Sequence, residues 1–195
     1  MSVTQALAAR WPLDGLTDVR DELLVAWDRA GYHDLVHLTE VLDRLDDLAA
    51  GGVAFDRTTI VLAAWFHDAV YDGADDDEER SAQWAERVLQ PDHAAEVARV
   101  VRMTVHHLPE AGDSGGSALS DADLAILAAP VGRYDEYAAG VRADFAHVGD
   151  DDFRAGRRAV LQDLADRPRL FHTDVAGRLW EDAARTNLAR ELRDL

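Results

Sequence analysis

Cysteine is absent from this 195-residue chain, which removes disulfides, thiolate zinc sites, iron–sulfur clusters and cysteine nucleophiles at once. Any metal must therefore sit on nitrogen and oxygen. Lysine is missing too: all 20 basic residues are arginine, so no Schiff-base lysine and no Walker-type lysine on a phosphate is available. No apolar run approaches the roughly 18 residues needed to span a bilayer, and the N-terminus has neither the basic start nor the apolar core of a signal peptide. The expectation is a soluble, cytoplasmic protein without a membrane partner. Positive charge is scarce, with a formal net charge of −18. Repulsion of that size opposes nucleic-acid polymers and anionic membranes, whose affinity rests on cations that neutralise phosphates. A small phosphorylated substrate stays compatible if a cation at the site reverses the local field.

Strand signals are also lacking, since neither two-residue alternation nor hairpin turns recur. Helical periodicity is present instead, and 48% hydrophobic residues suffice for the core of one domain. Residues 1–16, with Trp11-Pro12 and Gly15, read as an irregular lead-in. A first helix starts at Thr17 and stops at Gly31; a second runs from about His33 to Gly51-Gly52, with Leu38, Val41, Leu42, Leu45 and Leu48 on one face. Ile60 to Phe66 is apolar all round, as in a central buried helix, with Asp56 as a cap; a parallel strand would look similar but has nothing to pair with.

The acidic run 75–79 reads as a solvated helix start, favoured by the positive end of the helix that carries Ala82, Ala85 and Val88. Asp92 then opens a helix ending near His106-His107, and 110–118 is read as a glycine- and serine-bearing loop before an N-cap at Ser120. Three further helical patterns follow: Tyr134, Tyr137, Val141 and Phe145, then Phe153, Val160, Leu161 and Leu164, then Val175, Leu179, Ala183, Leu188 and Leu192. Trp65, Phe66, Trp84 and Trp180 are assigned to the core rather than to a base-stacking platform. Gly112-Asp113-Ser114-Gly115-Gly116 fits the nucleophile-elbow and chymotrypsin-like serine patterns, but both need strands that this sequence does not offer.

Five of the eight histidines, His33, His37, His67, His106 and His107, fall at ends or on polar sides of the expected helices. Singly, each is more simply an ordinary hydrogen-bonded residue. His67-Asp68, however, follows seven apolar residues and so delivers an ionisable pair from the core to its edge. Imidazole nitrogen and carboxylate oxygen together suit zinc, manganese, iron, nickel or magnesium. His37 could complete such a site, with His33 either on the same helical face or just before the helix as a substrate contact.

The runs Tyr32-His33-x-x-x-His37, Phe66-His67-Asp68-x-Val70-Tyr71-Asp72, Glu78-x-x-Ser81-Ala82, Thr104-x-x-His107, Asp121-Ala122-Asp123-Leu124 and Gly156-Arg157 make a spaced set. With the C-terminal Ala184-Arg185-x-Asn187-Leu188-x-x-Glu191-Leu192, the set resembles a predicted-hydrolase branch of the HD superfamily of metal-dependent phosphohydrolases. The resemblance implies an all-α, HD-domain-like helical bundle over residues 1–195, with a metal-site core at about 32–130 and the C-terminal helices of about 132–195 packed on it. It implies metal ligands at His37, His67, Asp68 and Asp123. Asp123 is preferred to Asp121 because the family's aspartate precedes a leucine, here Leu124; a capping box from Ser120 is the competing reading of Asp123.

The same resemblance makes the protein an enzyme that hydrolyses a phosphate ester, a nucleotide or other small phosphorylated metabolite, by attack of a metal-activated water. Asp68 and Glu78 would be catalytic, Asp72 competing with Glu78 for the proton. His33, His107 and Arg157 would contact substrate, with Arg102 as a further phosphate clamp. Only His106-His107 could supply the extra histidines of the family's two-metal members, which argues for one ion. The rival readings are a non-catalytic, metal-containing helical protein that binds a ligand or partner, and oxygen chemistry at a di-iron site, which needs more ligands. A homodimer is left open.

Overall fold

The structure is a computed structural model and describes residues 2–195. Among the described residues are ten α-helices, one 3-10 turn and no strand. Helices α1 (Val3–Ala8), α2 (Thr17–Trp27), α3 (Leu35–Ala50) and α4 (Arg57–Phe66) come first, followed by α5 (Asp77–Val88), α6 (Pro91–Met103) and α7 (Ser114–Leu124). A 3-10 turn, Ala125–Ala128, leads to α8 (Val131–Asp144), α9 (Asp150–Asp166) and α10 (Asp174–Asp194). No helix is long and apolar enough to cross a membrane.

The centre of the molecule is α4, buried from Thr59 to Phe66 and packed against α3, α5, α6 and α7. Burial on all sides is why its sequence lacks a polar face. The Asp56 carboxylate caps it, accepting from the Thr59 N–H at 2.7 Å. At the other end its last carbonyls are satisfied by side chains: Trp27 Nε1–H donates to Trp65 O at 2.9 Å, and His67 Nδ1–H to Ala64 O at 2.8 Å. Helix α3 buries Leu38, Val41, Leu42, Leu45 and Leu48 as its periodicity requires. It begins at Leu35 rather than His33, because the Asp34 carboxylate accepts from the N–H groups of Val36 and His37 and so ends the preceding turn.

The lead-in is not irregular throughout. Val3–Ala8 is helical, fixed by a Ser2/Gln5 capping box and by burial of Leu7. The expected loop at 110–118 is also half helix. Helix α7 starts at Ser114, capped by the Asp113 carboxylate on the Gly116 N–H at 2.8 Å. Its glycines serve close approach: a Cβ on Gly115 would meet Ile60 Cδ1 at 2.8 Å, and one on Gly116 would meet Asp113 Oδ2 at 2.3 Å. Ser120 is accordingly mid-helix and buried, so the capping-box reading of Asp123 falls. Val160 and Leu179, members of the apolar helical patterns, are exposed, and Trp84 is half-buried rather than fully enclosed.

Helix α10 packs on the 3-10 turn and on α9. Asn187 Nδ2–H donates to Leu127 O and Ala129 O at 2.8 and 2.9 Å. Asp121, fully buried in α7, accepts from the His172 and Thr173 N–H groups at 2.7 and 2.8 Å and so tethers the start of α10. Asp121→Ala leaves both amides unpaired in the interior, and a loss of about 3 kcal/mol in unfolding free energy is expected by urea denaturation. Asp121→Asn, which keeps an acceptor oxygen, should lose clearly less. Equal losses would mean that these hydrogen bonds are not the anchor.

Candidate metal centre

Three helices converge on one point. His67 stands at the C-cap of α4, His37 lies one turn into α3, and Asp123 ends α7. The bond from His67 Nδ1–H to Ala64 O fixes the tautomer and leaves the Nε2 lone pair facing His37. His37 Nε2 is 3.2 Å from His67 Nε2 and 3.2 Å from Asp123 Oδ1, which is 3.7 Å from His67 Nε2. Asp68 Oδ2 adds distances of 3.3 Å to His67 Nε2 and 3.7 Å to His37 Nε2. Ligands about 2.1 Å from a shared ion stand roughly 3.4 Å apart in a tetrahedron, so these spacings are compatible with a shared ion as well as with hydrogen bonding.

His37, His67 and Asp123 each offer one atom, and the three atoms lie within 4.8 Å of one another; the group could hold one metal ion. Both imidazoles are fully buried. His37 Nδ1 has no hydrogen-bond partner, so its ring is oriented by Nε2 and by packing on Tyr32 and Trp27, with centroids 4.5 and 5.9 Å away.

Opposite charges hold the four groups of the cluster together. Burial works against the charged form of His67, but Asp68 and Asp123 outweigh it and hold the imidazole well above its ordinary pKa; His37 is raised for the same reasons. Burial likewise opposes ionisation of Asp68 and Asp123, yet His67 and His37 hold both carboxyls well below the usual range.

Around this cluster lie the other residues singled out from sequence. His33 sits just before α3, with Nδ1 2.8 Å from Asp144 Oδ2, Nε2 3.9 Å from Asp68 Oδ2, and its ring stacked on Tyr71 at 3.8 Å. His107 has φ 53°, a left-handed conformation rare for a non-glycine residue, and its Nε2 is 3.6 Å from Asp123 Oδ2. Burial keeps that imidazole below its ordinary pKa. Glu78, half-buried in the first turn of α5, lines the same cleft, and burial, with Asp68 and Asp77 adding, raises its pKa. Asp72 is exposed and paired with Arg80, off the cleft lining.

The cations are placed differently from expectation. Arg102 is off the cleft lining, held by Glu79 and Glu86 at 2.6 Å each. Arg157 does line the cleft, but its guanidinium makes a bidentate pair with Glu191 at 2.7 and 3.0 Å and lies over the Tyr137 ring. Asp121 faces away from the cluster, on the α10 anchor described above. His106 is exposed at the cleft.

Sequence reasoning missed two supports. Arg29 donates to the backbone oxygens of His33 and Asp68 and lies over the Trp27 ring, tying the two histidine segments together. Nothing in the local pattern marks it, since its partners are carbonyls remote in sequence. Asp77, read as part of a solvated acidic run, is buried and accepts from the N–H groups of Asp72, Gly73 and Ala74 at 2.9, 2.8 and 3.1 Å. Its signal was the Asp72-Gly73 turn four to five residues upstream, of the kind an aspartate caps.

No protein-family model, curated protein or solved structure matches this chain. The observations stand as an all-helical protein with a buried His/His/Asp group able to hold one metal ion.

Metal occupancy should show in stability and in its pH dependence. Raised imidazole pKa values stabilise the metal-free fold below about pH 6.5, a contribution lost as pH rises through the folded values; depressed carboxyl values contribute above about pH 4, a contribution lost as pH falls through theirs. The metal-free cluster is therefore most stabilising between about pH 4 and 6.5, whereas ion binding needs neutral imidazoles and strengthens as pH rises. The rise in Tm on adding zinc or manganese to chelator-treated protein should grow from pH 6 to pH 8, reaching the equivalent of about 2.7 kcal/mol at a hundredfold excess over Kd. Elemental analysis should find one ion per chain, and His67→Ala should abolish the increment. An increment unchanged in His67→Ala would place the ion elsewhere.

Proposed function

We propose that this protein is a metal-dependent hydrolase of a phosphate ester, of the HD type, acting on a nucleotide or other small phosphorylated metabolite. The observation that carries the reading is the convergence of two buried imidazoles with two carboxylates, Asp68 and Asp123, that line a cleft of about 870 Å³. On this reading His37, His67, Asp68 and Asp123 hold a single divalent ion; paired imidazoles favour zinc, iron or nickel over magnesium. Such an ion polarises a phosphoryl oxygen and lowers the pKa of a neighbouring water toward about 7.

The chain's own groups do the rest. Glu78, whose carboxyl is raised by burial beside Asp68, accepts the proton of the attacking water. Asp68 orients the reacting oxygen as well as holding the ion. His107 and His33, each within 4 Å of one of the carboxylates, donate to phosphoryl oxygens, and Arg157, paired with Glu191, stands at the cleft as a further substrate contact. The bundle works as one domain, with α8 and α9 lining the cleft beside the histidine-bearing core and α10 packed behind them, in the cytoplasm and with no nucleic-acid polymer as partner.

One observation favours the non-catalytic alternative: Arg157 is already neutralised by Glu191, which leaves fewer uncommitted cations than phosphoryl transfer usually recruits. The two readings separate by assay. Metal-loaded protein should hydrolyse members of a nucleotide and phosphomonoester panel, and Asp68→Ala should fall to background. Glu78→Gln should lower kcat by about 10²- to 10⁴-fold with metal content unchanged. Full metal occupancy with no turnover on any member would establish the binding reading instead.

A further inference from the structure

The cleft is far larger than one phosphoryl group requires, and its composition restricts what else can occupy it. Away from the histidines its walls are largely aliphatic and aromatic, with Ile126, then Val141 and Phe145 from α8, then Phe153, Val160 and Leu164 from α9, interrupted on α9 by Asp152, Arg157 and Asp163. Val160 is 55% exposed, an apolar side chain left open at the cleft rather than packed in the core. No asparagine or glutamine lines the cleft, so the side-chain amides that read base edges are missing from it, and its hydroxyls are those of Thr104, which donates to Val101 O, and of three tyrosines.

Charge narrows the choice further. Five carboxylates line the cleft, Asp68, Glu78, Asp123, Asp152 and Asp163, against two arginines. One divalent ion offsets most of that excess but not all, so each additional phosphoryl group on a ligand meets net repulsion. Of the two arginines, Arg157 is committed to Glu191. Arg167 donates through Nη2 to His106 O and to Asp163 at 3.1 and 2.8 Å, while its Nη1 has no partner.

We propose that the cleft takes a monophosphate ester with an apolar alkyl or aryl body, its phosphoryl group at the histidine cluster beside Arg167 and its body on the α8–α9 wall. Polyphosphates and phosphates of polar sugars are the disfavoured classes. The proposal deepens the hydrolase reading and rests on it for the position of the phosphoryl group.

The test is calorimetric binding of non-hydrolysable alkylphosphonates to the metal-loaded full chain. Each methylene buried is worth up to about fourfold in affinity, so hexylphosphonate should bind at least about 30-fold tighter than methylphosphonate. Adenosine triphosphate should bind no tighter than methylphosphonate. Val160→Asn, polar but uncharged, should cut the chain-length gain while leaving metal content and methylphosphonate affinity unchanged; its side chain is exposed, and Phe153→Ala serves the same purpose should the first variant melt early. Arg167→Gln should weaken every phosphonate about 10-fold and keep the gain.

Affinity that is flat along the series, absent throughout, or greatest for the triphosphate would overturn the proposal. A chain-length gain without turnover of the matching alkyl phosphates would uphold the ligand class and overturn the hydrolase reading. Turnover without the gain would do the reverse.

Discussion

Two carboxylates and two imidazoles are held in an interior where isolated charges are costly, and most of the structure around them serves that arrangement. An unpaired ion buried there would cost several kcal/mol even after relaxation. The four groups avoid that cost by sharing protons and charge at 3.2 to 3.7 Å, a geometry that a divalent cation could occupy in place of the protons. Such a cluster would separate if any of its helices could drift. The fold prevents this by making α4, which carries His67 and leads into Asp68, its most enclosed element.

The site is locked in by hydrogen bonds that serve two purposes. The Ala64 carbonyl, one of the unpaired groups at the end of α4, is satisfied by the imidazole whose tautomer it sets. Asp34 both caps α3 and accepts from the His37 backbone N–H. Arg29 satisfies the backbone oxygens of His33 and Asp68, so the turn before α3 and the turn after α4 move as one. Local chain ends and site geometry are thereby held by the same bonds, which gives the cluster the pre-organisation that a metal or substrate site requires.

The far wall obeys different rules. Helices α8 and α9 present apolar side chains to the cleft, and their arginine is bound to Glu191 of α10 beneath Tyr137. The buried ionic cluster thus stands at one end of the cleft, and most of its apolar surface on the α8–α9 side, where Asp152 and Asp163 also line it. A ligand with a charged end and an uncharged body is complementary to that division.

Much of this was legible in the residues themselves. The lack of cysteine fixed the donor atoms as nitrogen and oxygen, and strict three- and four-residue spacing marked α3, while the run from Ile60 to Phe66 marked a buried helix that had to deliver His67-Asp68 to its end. Helical periodicity is a local property, so a single sequence carries it. What sequence could not decide depended on neighbours distant along the chain. Gly115 and Gly116 read as a loop because their helix propensity is poor, but close approach to Ile60 and Asp113 placed them in α7. Asp121 and Asp123, two residues apart, point about 200° from one another around that helix, and only packing determined which faced the histidines and which faced α10. That Arg157, expected at the substrate, is also paired with Glu191, 34 positions later, could not be read from its local pattern. Donor chemistry and helix period are written residue by residue; the partners of a buried charge are set by which surfaces meet when the helices pack.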